Sequence, residues 1–165
     1  MADSTQNEKQ NYTEQYQQLI QSQQTLVLST VTEQGKPHSS YAPFTRDAEG
    51  IFYIFVSELA VHTKNMLKNG SASILFIKSE SETKNLFARE RVVLDCEINE
   101  VQPQDECYYK RMLIMREKFG ETVALLQSLP DFHLLALKAV EGKYIAGFGK
   151  AFSINTADWT LDINE

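Results

Sequence analysis

Two arginines two residues apart, Arg89 and Arg91, open the stretch 89–101, in which Arg89, Arg91, Val93, Asp95 and Glu97 alternate with Val92, Leu94, Cys96 and Ile98. A strand turns successive side chains to opposite faces, so one face is apolar and the other carries both guanidiniums, a fork suited to phosphate or carboxylate. A solvated strand face would carry the same charges. Ser57, His62 and Lys64 straddle the start of an expected helix, where free backbone N–H groups and the helix dipole favour an anion. A surface helix with a histidine and a lysine for solubility is the plainer reading of those residues. Asp131 and His133 flank Phe132 at the start of a strand. Both side chains then share a face, and the carboxylate can orient the imidazole or a bound water. A turn aspartate after Pro130 and an edge histidine explain the pair as cheaply.

The elements that must hold these residues follow from periodicity. Residues 1–10 have no apolar period and read as a mobile tail, whereas Tyr12, Tyr16, Leu19 and Ile20 share one helical face. Residues 25–32 and 38–46 read as a hairpin across Gln34, Gly35, Lys36 and Pro37. A turn at 47–50 leads to an apolar strand, 51–56, then a helix, 60–69, stopped at Gly70, and a further strand, 72–78. Pro103 opens a helix bearing Tyr108, Met112, Met115 and Phe119 at helical spacing, continued after Gly120 by 123–129. Two strands, 132–140 and 143–154, joined at Glu141-Gly142, close a chain of mostly antiparallel strands with inserted helices, so a mainly β (α+β) small barrel is expected. The domain spans 11–154 with its leading helix, and 155–165 form a short C-terminal tail.

The formal net charge of −6 opposes bulk binding to nucleic acid or to an anionic membrane. Lys110, Arg111, Arg116 and Lys118 therefore read as the solvated side of the Met-bearing helix. Cys96 and Cys107 are too few for a disulfide framework and fit reduced, partly buried thiols. No window approaches the roughly 18 apolar residues of a membrane span, and a cytoplasmic location is expected. P-loop, G-x-S-x-G and H-E-x-x-H signatures are absent. Gly147-Phe148-Gly149 begins like a dinucleotide fingerprint, but the segment reads as strand with no helix after it, and a strand bend or close backbone approach is the better use of these glycines.

Several short motifs fall in a telling order. They are Gly35-Lys36-Pro37 with Ser40-Tyr41-Ala42-Pro43; Phe52-Tyr53 through Ser57-Glu58-Leu59-Ala60 to His62 and Asn65; Leu86-Phe87-Ala88-Arg89-Glu90-Arg91; Lys118-Phe119-Gly120-Glu121; Asp131-Phe132; and Gly147-Phe148-Gly149-Lys150-Ala151. In this order the chain resembles the FMN-binding split-barrel superfamily of pyridoxamine phosphate oxidase, and within it the haem-utilisation branch. The resemblance implies a six-stranded antiparallel split β-barrel with peripheral helices, a homodimer, and a planar cofactor in the groove between subunits. In flavin-binding relatives, positions matching Ser57, Lys64, Arg89 and Arg91 hold the FMN phosphate. In the haem branch the groove takes haem, and Arg91 and Asp131 carry over to distal-side or oxygen-handling roles. That branch's iron ligand is a histidine of the C-terminal tail. No histidine follows His133 in this sequence, so either a different residue such as His62 ligates haem iron, or haem is bound weakly or not at all, or the groove holds a flavin. The implied function is haem binding with oxygen-dependent haem degradation; an FMN-dependent oxidoreductase and a non-catalytic haem or tetrapyrrole carrier are the alternatives.

Overall fold

Alternating burial along the strands builds the barrel. The structure, a computed structural model, describes residues 2–162, with side chains described from Gln6 onward. Strands β1 (Thr25–Val31), β2 (Pro37–Pro43), β3 (Thr45–Arg46), β4 (Phe52–Ser57), β5 (Ser71–Ile77), β6 (Arg91–Val101), β7 (Phe132–Gly147), β8 (Lys150–Asn155) and β9 (Thr160–Asp162) form one antiparallel sheet. Its order is β2-β1-β5-β6-β7-β4-β3, with β8 on the far half of β7 and β9 on β8. The path does not close between β2 and β3, and it has nine strands where six were expected. The expected strand 38–46 breaks at Phe44 into β2 and β3. The expected C-terminal tail contributes β9, while 163–165 lie outside the described residues.

Leu26 and Leu28 of β1, Ile74 and Phe76 of β5, Val92, Leu94 and Cys96 of β6, and Leu135 and Leu137 of β7 meet in the main core. Helix α1 (Ala2–Ser22) seals it with Tyr12, Tyr16, Leu19 and Ile20. The helix begins at Ala2, so the expected tail is its first turns, extended from the apolar face farther along. A second, smaller core joins Tyr53 of β4 and Leu134 of β7 to Met112 and Met115 of α3 (Tyr108–Phe119) and Val123 of α4 (Glu121–Gln127). Helix α3 starts five residues after Pro103, because the Asp105 carboxylate accepts from the Gln102 N–H at 2.7 Å and makes that segment a turn. The expected solvated face of α3 also needs correcting. Arg111 meets Asp47 at 2.8 Å and lies 4.6 Å over the Tyr53 ring, and Lys118 donates to the Phe44 carbonyl at 2.8 Å.

Strand β7 does not turn at Glu141-Gly142. A bulge beside Asp95 and Cys96 absorbs the irregularity, and β7 runs on to pair with β8. Gly142 is needed for another reason: a Cβ there would stand 2.7 Å from Leu94 Cδ2 and 3.0 Å from Ile154 Cβ. The turn comes instead at Phe148-Gly149, with Gly149 in the left-handed region at φ +65°.

Cys96 is buried and Cys107 exposed, both as free thiols. Burial, helped by Asp95, pushes the Cys96 thiol up to about 12. Native protein is therefore expected to release one equivalent of thionitrobenzoate promptly per chain and the second only on unfolding, because thiolate is the reactive form.

Candidate functional site

Ser57 ends β4 opposite Phe132, which brings it beside Asp131 at the start of β7. The Ser57 hydroxyl donates to Asp131 Oδ2 at 2.6 Å, and the Glu58 N–H donates to the Asp131 carbonyl at 2.7 Å. Ser57 Oγ accepts from the Leu59 N–H at 3.1 Å, and the Ala60 N–H donates to the Ser57 carbonyl at 3.1 Å. A tight strap, residues 57–60, thus fastens the end of β4 to Asp131 and leads into α2 (Val61–Asn69), which stops at Gly70 with φ +65°.

His62 and Lys64 both lie on α2 but face different surroundings. His62 Nε2 is buried without a hydrogen-bond partner, and burial, then the nearby His38, holds its pKa below the ordinary imidazole value. Lys64 lines a separate hollow with Thr32, Glu33 and Lys68. The expected partnership of Asp131 with His133 does not form. Asp131 bonds to Ser57, whereas His133 Nδ1 lies 2.6 Å from Glu100 and its Nε2 3.7 Å from Glu58.

The two arginines also part company. Arg89 precedes β6 and is spent locally: its Nε donates to the Lys78 carbonyl at 2.5 Å and its guanidinium reaches Glu80 at 3.3 Å. Arg91, the first residue of β6, gives one bond to the Arg89 carbonyl at 3.0 Å and pairs with no carboxylate among the described residues. It lines an open hollow of about 370 Å³ on the outer face of β6 and β7 with Val93, Asp95, Glu141, Lys143 and Ile145. Arg91 and Lys143 can pair acidic substituents of a planar ring laid on Val93 and Ile145, while Asp95 and Glu141, paired across the strands at one end of the hollow, repel them.

β7 keeps these clusters apart. Phe132, beside Asp131, pairs with Ser57, whereas Ile145 pairs with Arg91. Thirteen residues of strand separate them, roughly 40 Å along its contour. Ser57 and Asp131 thus lie at one end of the strand and Arg91 beside the other. A further apolar cavity of about 260 Å³, between β4 and the α3–α4 pair, holds none of the predicted residues.

The family model described as pyridoxamine 5'-phosphate oxidase matches residues 12–146. This chain belongs to the pyridoxamine 5'-phosphate oxidase family. Its place within the family is the haem-utilisation branch. It is 38% identical over 138 residues to heme oxygenase HutZ of Vibrio cholerae, covering 84% of this chain and 78% of that protein. The crystal structure of Vibrio cholerae HutZ, described as a heme storage protein, superposes with a TM-score of 0.71 at 37% identity over 76% of this chain and 87% of the other. Campylobacter jejuni ChuZ shares the fold, with a TM-score of 0.79 at 24% identity over 91% of this chain and 61% of the other.

Sequence reasoning missed Lys143, Glu58, Glu100 and His38. Lys143 was hidden by the supposed turn at Glu141-Gly142. Strand alternation alone could have found His38, which the register sets beside Thr30. Among the described residues no helix is long and apolar enough to cross a membrane.

Proposed function

We propose that two copies of this chain form a homodimer whose grooves each take one haem, with Arg91 of one chain facing Ser57 and Asp131 of the other. The observation that carries this reading is the separation of those residues at opposite ends of β7. A two-fold axis gathers them in one groove by setting the head of one strand beside the tail of its copy. Each chain also serves two grooves this way.

Arg91 and Lys143 fit the propionates, and Val93 and Ile145 fit the edge of the macrocycle. Asp131, held by Ser57, would hold a proton or orient a water beside bound haem. His62 is the iron-ligating histidine in this reading, since burial keeps its ring neutral, the form that binds metal. Its Nε2 is enclosed in the single chain, so ligation requires the side chain to rotate outward. Bound haem supplies an iron centre at which oxygen is activated against the porphyrin. The likeness to heme oxygenase HutZ supports haem degradation, and the cytoplasm is the compartment that goes with it.

Titration with hemin, followed at the Soret band, tests the reading. A shifted Soret band saturating at one haem per chain is expected, with the axial-histidine signature lost in His62→Ala. A flavin spectrum in protein purified without added cofactor, together with no Soret shift, would move the assignment to FMN-dependent oxidoreduction. Stable haem under ascorbate and oxygen would mark a carrier.

A further inference from the structure

We propose that Glu90 is a positioning residue: its carboxylate, tied from behind to β5 and β7, sets the direction in which Arg91 meets the ligand. This role rests on the haem-groove reading above, and Glu90 itself touches neither ligand nor iron.

Strand alternation puts the hold on the hidden side of the site. Lys143 and Ile145 face the hollow with Arg91, so Tyr144 between them turns inward, where it is fully buried in the main core. Glu90, between the two arginines, meets it there. The Tyr144 hydroxyl donates to Glu90 Oε1 at 2.6 Å, and Lys78 Nζ, just past the end of β5, donates to Glu90 Oε2 at 3.1 Å. Each carboxylate oxygen thus has its own donor, and the side chain is only 17% exposed. Burial, then the bond to Glu90, pushes the Tyr144 phenol well above its usual range, which keeps it a donor.

The backbone carries that hold to Arg91. The Lys78 N–H donates to the Glu90 carbonyl at 2.9 Å, Arg89 Nε donates to the Lys78 carbonyl at 2.5 Å, and Arg91 Nη1 donates to the Arg89 carbonyl at 3.0 Å. Residues 89–91 are therefore pinned on both sides of Glu90. Among the described residues no ion pair joins Glu90 to Arg91, so the guanidinium is aimed through the main chain while its outer donors stay open. A pre-set direction lowers the entropy lost when a ligand orders a rotamer-rich side chain. Charge alone would work the other way, since a carboxylate this near the hollow opposes an acid-tailed ligand. Geometry and charge predict opposite signs when Glu90 is removed.

Hemin titration of variants reads both the sign and the route. Glu90→Ala should bind hemin about fivefold more weakly than the unmodified protein, and Tyr144→Phe, which keeps the ring in the core, should fall in the same direction. Glu90→Gln keeps the acceptor for Tyr144, and Lys78, 39% exposed at its side chain, can turn to water. Affinity in that variant should return to within about twofold of the unmodified protein. Added to Arg91→Ala, Glu90→Ala should change affinity by less than about twofold, because it acts through that guanidinium. Equal losses in both backgrounds, or tighter binding in Glu90→Ala and Glu90→Gln alike, overturn the proposal. Ligand-free protein gives a readout independent of haem: amide exchange of the Lys78 N–H should speed up about fivefold in Glu90→Ala and stay slow in Glu90→Gln. Absent hemin binding with that exchange pattern overturns the haem reading and leaves the Glu90 hold standing. Unchanged exchange in Glu90→Ala overturns the hold whatever the ligand.

Discussion

Arg91→Ala is expected to weaken hemin binding roughly tenfold to a hundredfold, since a charge-assisted hydrogen bond to an ionised group is worth about 1.5–3 kcal/mol. The loss is large because this guanidinium is uncommitted. It gives one bond to a backbone carbonyl and pairs with no carboxylate among the described residues, so its remaining donors are free for a propionate. Arg89→Ala should act differently, by loosening the loop that its bonds to Lys78 and Glu80 hold. A mixing experiment sharpens the test of the shared groove. Arg91→Ala chains and Asp131→Ala chains, each weak alone, should recover tight sites on subunit exchange, because a mixed dimer keeps one groove with both residues intact. A mixture no better than its components would place both residues in one chain's site and remove the case for a composite groove.

The largest stability effect is expected at Arg111, far from that groove. Arg111→Met should destabilise the domain by about 3–5 kcal/mol, the usual cost of stranding one member of a buried ion pair. Asp47 is only 3% exposed at its side chain and also accepts from the Ile51 N–H at 2.9 Å and the Tyr53 hydroxyl at 3.0 Å, so it cannot simply turn to water. Its bond to Tyr53 adds to burial in pushing that phenol up to about 12. Urea denaturation should show the loss as a lower midpoint. The double variant Arg111→Met with Asp47→Asn should recover part of it, since no unpaired charge is left inside. A single variant within about 0.5 kcal/mol of the unmodified protein would mean that the pair is solvated.

Much of the barrel was legible because its code is local. The period-two burial expected across 92–98 is what β6 shows, and α2 stops before Gly70 as expected, with Gly70 as a left-handed C-cap. The errors share one cause. Gly142 looked like a turn residue because glycine's freedom is visible in sequence, whereas the crowding by Leu94 and Ile154 that demands it comes from strands distant in the chain. Arg111 looked solvated for the same reason: α3 has charges at surface spacing, and only the fold brings Asp47 beneath one of them.

Residue type and order alone determined the class of chemistry here: an anion-seeking guanidinium on a half-apolar strand, a carboxylate at a strand start, and motifs that place the chain in its family. Tertiary structure decided which of those groups can act together. Ser57 meets Asp131, His133 takes two glutamates, Arg89 is consumed by its own loop, and Arg91 is carried to the far end of β7. Spacing along a chain fixes the face on which a side chain lies, because backbone geometry is periodic. Which faces meet depends on strand register and on a long strand's reach, and those are set by contacts between residues remote in sequence.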